Sequence, residues 1–385
     1  LTEQKEYRVK IPIGPAHPAL EEPVRFILEV EGENVVTADF KLGFAHRGIE
    51  KLAEKRDYTQ TIYLMERVCG ICSQCHSSAY TLGVEAIAKA EIPERAEYLR
   101  VVLAELERIH SHLLWAGIAG EEIGFNTLMM YSWKQREFVM EALERLTGNR
   151  VNYSQNAIGG LRNDFRKEDL DFTLKQMDKI QEAVDYLVKV FTKDPLVHER
   201  AVGVGMLTNA DAVKSCAIGP TGRASGVATD ARKDDPYMAY DKLDWDMIVV
   251  KEGDVAARAA ARVLEVGESV KIIRQAIKEL PDGPVFKQPG AIPAGETISR
   301  VEAPRGEDAH YVKTGNGNKV FRERPRAPTE ANFHAIPYML KDAKLADVPI
   351  IVASIDPCMS CCDRVAVIEN GRQRIVTAKE MRKMK

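Results

Sequence analysis

Apolar and polar residues alternate through Phe26, Leu28 and Val30, break at Glu31-Gly32-Glu33-Asn34, and resume at Val35, Val36 and Phe40. That period of two predicts a β-hairpin, and so a small antiparallel sheet near the N-terminus. From about Ile49 the period lengthens to that of helices. After Pro93, which suits a first helical turn, Leu99, Val102, Leu103, Leu106, Ile109 and Leu113 recur three or four residues apart. The same spacing runs from Leu128 to Leu146, where Gly148 stops it, and through Leu170, Leu174, Met177, Ile180, Val184, Leu187 and Phe191. These stretches predict the packed helices of a bundle. A Gly-rich interval from Gly203 to Gly226 and a polar, Asp-rich stretch interrupt the pattern before a further helix from about Val255 to Leu280, ended by Pro281. Strand-like pieces follow around Val301 and Tyr311. A Gly315-Asn316-Gly317 turn, Pro-rich residues to Pro328 and a buried-looking run from Val348 to Ile355 complete the pattern.

The expected fold is therefore mainly α (α+β), a helical-bundle core with small antiparallel sheets at the N-terminus and in the C-terminal part. Four segments are expected: a β-hairpin region over 1–48, a helical core over 49–200, a mixed α/β region over 201–364 closing on that core, and a tail over 365–385. In the tail, Val365-Ala366-Val367-Ile368, the Glu369-Asn370-Gly371 turn and a basic end predict a hairpin followed by a helix.

With 385 residues, 45% hydrophobic and 29% charged, the chain can bury a sizeable core. Its 54 Lys plus Arg against 57 Asp plus Glu leave no basic excess, which argues against nucleic acid as a partner. No stretch approaches the ~18 apolar residues of a membrane span, and Leu1 to Lys10 is too charged for a signal-peptide core. A cytosolic or peripheral location is expected. Seven cysteines are too sparse for a disulfide scaffold. Six fall in two clusters, Cys69, Cys72, Cys75 and Cys358, Cys361, Cys362, while Cys216 stands alone and is expected to be a small buried hydrophobe.

Cys69-Gly70-Ile71-Cys72 and Cys358-Met359-Ser360-Cys361 each place two thiols near enough to share a metal. A structural zinc with four cysteine ligands satisfies that pattern. Two features point elsewhere. The pairs lie 286 residues apart, unlike the single short segment of a zinc ribbon, and each adjoins charged groups that a structural site does not need: Glu66, Arg67, Asp356 and Arg364. Soft thiolates also suit nickel and iron, so spacing alone leaves the metal open.

The strings Glu66-Arg67-Val68-Cys69-Gly70-Ile71-Cys72 with His76, and Asp356-Pro357-Cys358-Met359-Ser360-Cys361-Cys362-Asp363-Arg364, resemble the two signature motifs of nickel-iron hydrogenase large subunits. Gly14-Pro15-Ala16-His17-Pro18, His46-Arg47-Gly48-Ile49-Glu50, Glu107-Arg108-Ile109-His110-Ser111-His112 and Glu302-Ala303-Pro304-Arg305-Gly306-Glu307 resemble the membrane-bound, energy-converting branch, which is related to respiratory complex I. The likeness runs from about Ile11 to Arg364.

That resemblance implies a nickel-iron centre, Ni-Fe(CN)2(CO), with Cys69 and Cys358 on nickel and Cys72 and Cys361 bridging to iron. It implies Cys358 as first proton acceptor, Glu22 as relay carboxylate, and Arg305 over the site with Asp356 as its partner. Pro304, Thr329 and His76 would line the cofactor, whereas His110 and His112, two apart on a helix, read as structural histidines. The family's soluble members end the second motif in His, which helps a glutamate hold magnesium. Arg364 stands there instead, and Glu50 is expected to pair with it directly. The implied activity is reversible formation and cleavage of hydrogen at the cytoplasmic face of the membrane. The implied partners are an iron-sulfur small subunit carrying all the clusters, further hydrophilic and antiporter-like membrane subunits that move ions, ferredoxin as electron donor, and maturation proteins. A complex I-like quinone or sulfur reductase subunit and a structural zinc protein remain as alternatives.

Overall fold

The computed structural model describes residues 8–315, 317–362 and 367–374. The N-terminal hairpin is present and is joined by a third strand. Strands β1 (Arg8–Ile13), β2 (Arg25–Glu31) and β3 (Asn34–Lys41) form an antiparallel sheet in that order. Alternation on β2 buries Phe26, Leu28 and Val30, and Phe26 stacks on Phe333. β1 is mostly exposed and contains Pro12, so it lacked the signature of a half-buried strand.

The helical periods become α1 (Tyr58–Glu66), α2 (Ser73–Ala88), α3 (Glu94–Glu122), α4 (Asn126–Thr147), α5 (Lys167–Lys193) and α6 (Val255–Lys278). α3 is the axis of the bundle, packing on α4 and α6, while α5 closes against both of those. Its residues Leu99, Val102, Leu103, Leu106, Ile109 and Leu113 are fully buried, each contributing about 1.5–3 kcal/mol from leaving water. No described helix is long and apolar enough to cross a membrane.

A second antiparallel sheet, β4 (Gly295–Ala303), β5 (Gly306–Thr314) and β6 (Val320–Arg326), lies against α2. β6 runs through the Pro-rich stretch, because as the strand at the sheet's edge it tolerates Pro325. The apolar run before the second cysteine cluster is a short helix, Val348–Ala353, with Pro349 in its first turn. Trp115 on α3 donates its indole N–H to the Ala353 carbonyl (2.8 Å), and Arg258 on α6 reaches Ser354 Oγ (2.8 Å). The bundle axis thus anchors the approach to the second motif.

Cys216 is exposed, not buried. It has a positive φ of 56° just past the short helix Asn209–Lys214, where the chain turns outward, and so it closes a helix instead of filling a core. In the tail, Val367–Glu369 and Arg372–Arg374 pair as the expected hairpin; the basic end beyond it lies outside the described residues.

The approach of α2 to the second sheet depends on a missing side chain. A Cβ on Gly83 would sit 2.7 Å from Val312 Cγ2 and 2.9 Å from Ser299 Oγ. Gly83→Val is expected to cost about 1–3 kcal/mol by overpacking, read as a lowered urea midpoint; an unchanged midpoint would contradict this packing.

Candidate metal centre

The two cysteine motifs meet beside the ends of α1, α2 and the Val348–Ala353 helix. Cys358 Sγ lies 3.4 Å from Cys69 Sγ and 2.9 Å from Cys361 Sγ, and these three sulfurs all fall within 4.8 Å of one another. Cys72 belongs to the same interacting group of thiols, and all four cysteines are buried and free of disulfides. Hydrogen bonds from Cys358 and Cys361 hold the Cys69 thiol well below its usual range, while burial and its cysteine neighbours push Cys361 well above. Four buried sulfurs this close cannot all ionise unaided. Such a donor set fits soft cations, whether a nickel-iron pair or zinc.

Each turn is held by side chains from elsewhere. Arg47 straps the two motifs together, donating to the carbonyls of Arg67 (2.7 Å), Val68 (2.6 Å) and Ser360 (2.9 Å). Glu107 on α3 caps the start of α2 just after Cys72, accepting from Gln74 N (2.5 Å) and Cys75 N (3.0 Å). Burial pushes the Glu107 carboxyl up to about 8 even so. Glu22, in the loop between β1 and β2, binds Met359 N, Ser360 N (3.1 Å) and Ser360 Oγ, directly after Cys358. Thr329 Oγ1 accepts the Cys358 N–H (3.1 Å).

Arg305 lies in the tight turn between β4 and β5, with buried Pro304 before it and Gly306 after it at φ 127°, a conformation that glycine supplies. Its guanidinium contacts Cys72 Sγ (3.3 Å), Ser111 Oγ (3.2 Å), the Asp356 carbonyl (2.6 Å) and Asp356 Oδ1 (2.5 Å). Burial raises the Asp356 carboxyl, and Arg305 and Arg262 oppose that rise. The sequence-derived residues Glu22, Arg305, Asp356, Thr329 and the four cysteines therefore come together.

His76 also reaches the cluster, with Nε2 3.5 Å from Cys361 Sγ. Behind it stand Asp308 and His310 from β5 and Glu323 from β6, none of which sequence reasoning singled out. His110 and His112 are engaged elsewhere, through Nε2 with Tyr153 (3.1 Å) and Glu265 (2.9 Å) respectively, and burial lowers them to about 3 and about 4. Glu50 pairs with Arg322 of β6; Arg364 lies outside the described residues. Cys362 is a packed core side chain. Arg47 and Glu107 were also missed as site residues, although the strings that carried the resemblance contain both.

Fold and site together define a subunit class built on paired cysteine motifs at the edge of a helical bundle. Residues 122–290 and 285–364 match the family model of the respiratory-chain NADH dehydrogenase 49 Kd subunit, and residues 47–116 match that of nickel-dependent hydrogenase. The chain belongs to the family that unites the large subunits of membrane-bound, energy-converting hydrogenases with that complex I subunit. It is 40% identical to the membrane-bound hydrogenase subunit alpha of Pyrococcus furiosus, over 98% of this chain and 93% of that one. It is 42% identical to the carbon monoxide-induced hydrogenase of Rhodospirillum rubrum, over 92% and 99% respectively. Among solved structures, a chain of the membrane-bound sulfane sulfur reductase, an archaeal respiratory membrane complex, superposes with a TM-score of 0.86 at 33% identity, covering 94% of this chain and all of that one. The chain is thus an oxidoreductase-family subunit of the kind found in multi-subunit membrane complexes.

Two substitutions probe how the site is held. Glu107→Ala is expected to cost about 1–3 kcal/mol for each buried N–H left without an acceptor, seen as a lower urea midpoint. Arg47→Ala is expected to let the turns part, so that Cys358 in metal-free protein is alkylated several-fold faster; equal rates would show that Arg47 holds nothing.

Proposed function

We propose that the chain is the catalytic large subunit of an energy-converting, membrane-bound nickel-iron hydrogenase, which interconverts two protons and two electrons with dihydrogen. The observation that carries this reading is the convergence of all four cysteines beneath the Arg305 guanidinium. Cys69, Cys72, Cys358 and Cys361 would hold a Ni-Fe(CN)2(CO) centre, which when bound supplies the two-electron chemistry of making or splitting hydrogen.

The remaining work belongs to the chain. Arg305 places a permanent cation beside Cys72, where it balances anionic sulfur and cyanide ligands, and Asp356 fixes its plane through two contacts. Thr329 Oγ1 is occupied as acceptor by the Cys358 N–H, which leaves its own proton for a ligand nitrogen. Cys358 takes the first proton at Sγ. Glu22, anchored on the two N–H groups that follow Cys358, accepts it next and passes it toward the β1–β2 loop and solvent. Burial of the sulfurs keeps bulk water from the reacting centre.

Apart from the exposed Cys216, the described cysteines lie at or beside this one site and leave none to ligate a further cluster, so electrons would come from iron-sulfur clusters in a small partner subunit. The assembly would include antiporter-like membrane subunits that translocate ions, with ferredoxin as donor and maturation proteins supplying the metals, and this chain would sit peripherally on the cytoplasmic face. A second reading, a sulfur or quinone reductase subunit, draws on the likeness to the sulfane sulfur reductase.

Metal analysis of the purified complex together with hydrogen-dependent dye reduction separates these readings. Nickel and iron with activity are expected; stoichiometric zinc with no activity would establish a structural site, and activity on sulfur or quinone alone would establish the second reading. Glu22→Gln is expected to keep the metals and slow turnover by roughly 10²-fold, the scale of one lost proton-transfer group. Full activity in that variant would remove Glu22 from the proton route.

A further inference from the structure

We infer that this chain carries a second metal site, distinct from the four cysteines, at which His76, Asp308 and His310 hold one divalent first-row transition-metal ion. The three come from different elements: His76 from α2, Asp308 and His310 from β5. All are at most 1% exposed. His76 Nδ1, His310 Nε2 and Asp308 Oδ2 form a triangle with edges of 3.1, 2.9 and 3.3 Å. Ligands about 2.1 Å from one ion stand about 3.0 Å apart on an octahedral face and about 3.4 Å apart in a tetrahedron, so the triangle has the size of half a coordination shell.

Hydrogen bonding alone leaves this cluster incomplete. The two imidazoles meet with hydrogen-bond geometry, and Asp308 joins them through close ion-pair contacts whose angles fall short of that geometry. Although Oδ2 lies close to both rings, neither Asp308 oxygen receives a directed hydrogen bond from any described residue, and Glu323 Oε2 is left in the same state. A buried carboxylate without donors is costly, and one cation shared with the two ring nitrogens removes that cost. The surroundings match those of ligating histidines, which hand their second ring nitrogen to an acceptor. His310 Nδ1 is held by Glu323 Oε1 at 2.5 Å, and His76 Nε2 faces Cys361 Sγ at 3.5 Å. Against burial, Asp308 and Glu323 push the His310 ring up to about 10, so a proton on it offsets part of their charge; with both imidazoles neutral, as ligation requires, two negative charges remain, which a divalent ion balances. Two imidazoles and a carboxylate suit iron(II) or zinc in preference to magnesium or calcium.

The site has a consequence for the cysteines. With Nδ1 on the ion, the His76 proton must sit on Nε2, and that N–H points toward Cys361. The ion would also pin α2 to the second sheet. Because the triad is sealed from solvent, it would load as the chain folds and resist chelators afterwards.

The test is anomalous X-ray diffraction from crystals of the intact complex, purified from cells grown without and with added zinc so that the chain folds in its presence, with data at the iron, nickel and zinc edges. A peak is expected about 2.1 Å from the three ligand atoms, separate from any density at the cysteines. The double variant Asp308→Asn, His310→Gln is expected to lose that peak and one equivalent of metal while keeping the metals at the cysteines. Ordered side chains with no anomalous density at the triad in either crystal, or a peak that survives the double variant, overturns the inference. The wild-type map decides the question even where the variant fails to fold. Because peaks are read by position, nickel missing from the cysteines contradicts the hydrogenase reading and leaves this one standing, and the reverse holds equally.

Discussion

Two Cys-x-x-Cys turns from distant parts of the chain occupy one small buried volume, and most of the surrounding structure keeps them there. Thiols at 2.9 and 3.4 Å repel one another once ionised, so the arrangement persists only where other groups fix the backbone on each side. Arg47 does this by taking carbonyls from both motifs with one planar fork, a task that matches guanidinium geometry. Arg305 does it too, touching Cys72 of one motif and Asp356 of the other. Two cations therefore brace a site whose natural occupants are anionic sulfurs.

Arg305 can act this way because a deeper layer holds its turn. Arg108, on α3, donates to the carbonyls of Glu302 (2.7 Å) and Ala303 (3.2 Å), the two residues before Pro304. Arg108 belongs to a buried network in which Arg223 meets Glu265 and Glu302 at 2.7 Å each, and Arg232 meets Asp230 (2.7 Å) and Glu105 (3.1 Å). Such networks add little net stability over apolar packing, yet loss of one partner strands a buried charge at roughly 3–5 kcal/mol. Here the network sets position: it fixes the second sheet against the bundle and so fixes where the guanidinium of Arg305 ends. His76, Asp308 and His310 join that sheet to α2, the helix that starts just after Cys72.

The sequence disclosed those parts whose signal is local. The apolar period of α3 is strong because one long helix is buried along nearly its whole length, and the cysteine pairs declare themselves by spacing. Elements whose character comes from their neighbours stayed hidden. β1 and β6 are edge strands containing proline, so their pairing shows in neither alternation nor propensity. Cys216 looked like a core residue by type but was placed outside by the turn that ends its helix. In the site, Glu22 and Arg305 were legible through the motifs that carry them. Arg47, Glu107 and the group around Asp308 were not, since each acts on residues tens to hundreds of positions away and only the folded chain brings them into reach.

The central claim is that sulfurs from both ends of the chain share one nickel-containing centre, and nickel K-edge X-ray absorption on the purified complex addresses it directly. The account requires a first shell dominated by sulfur at about 2.3 Å, the length of a metal–thiolate bond. A nickel shell of nitrogen and oxygen only, or no stoichiometric nickel, would contradict it.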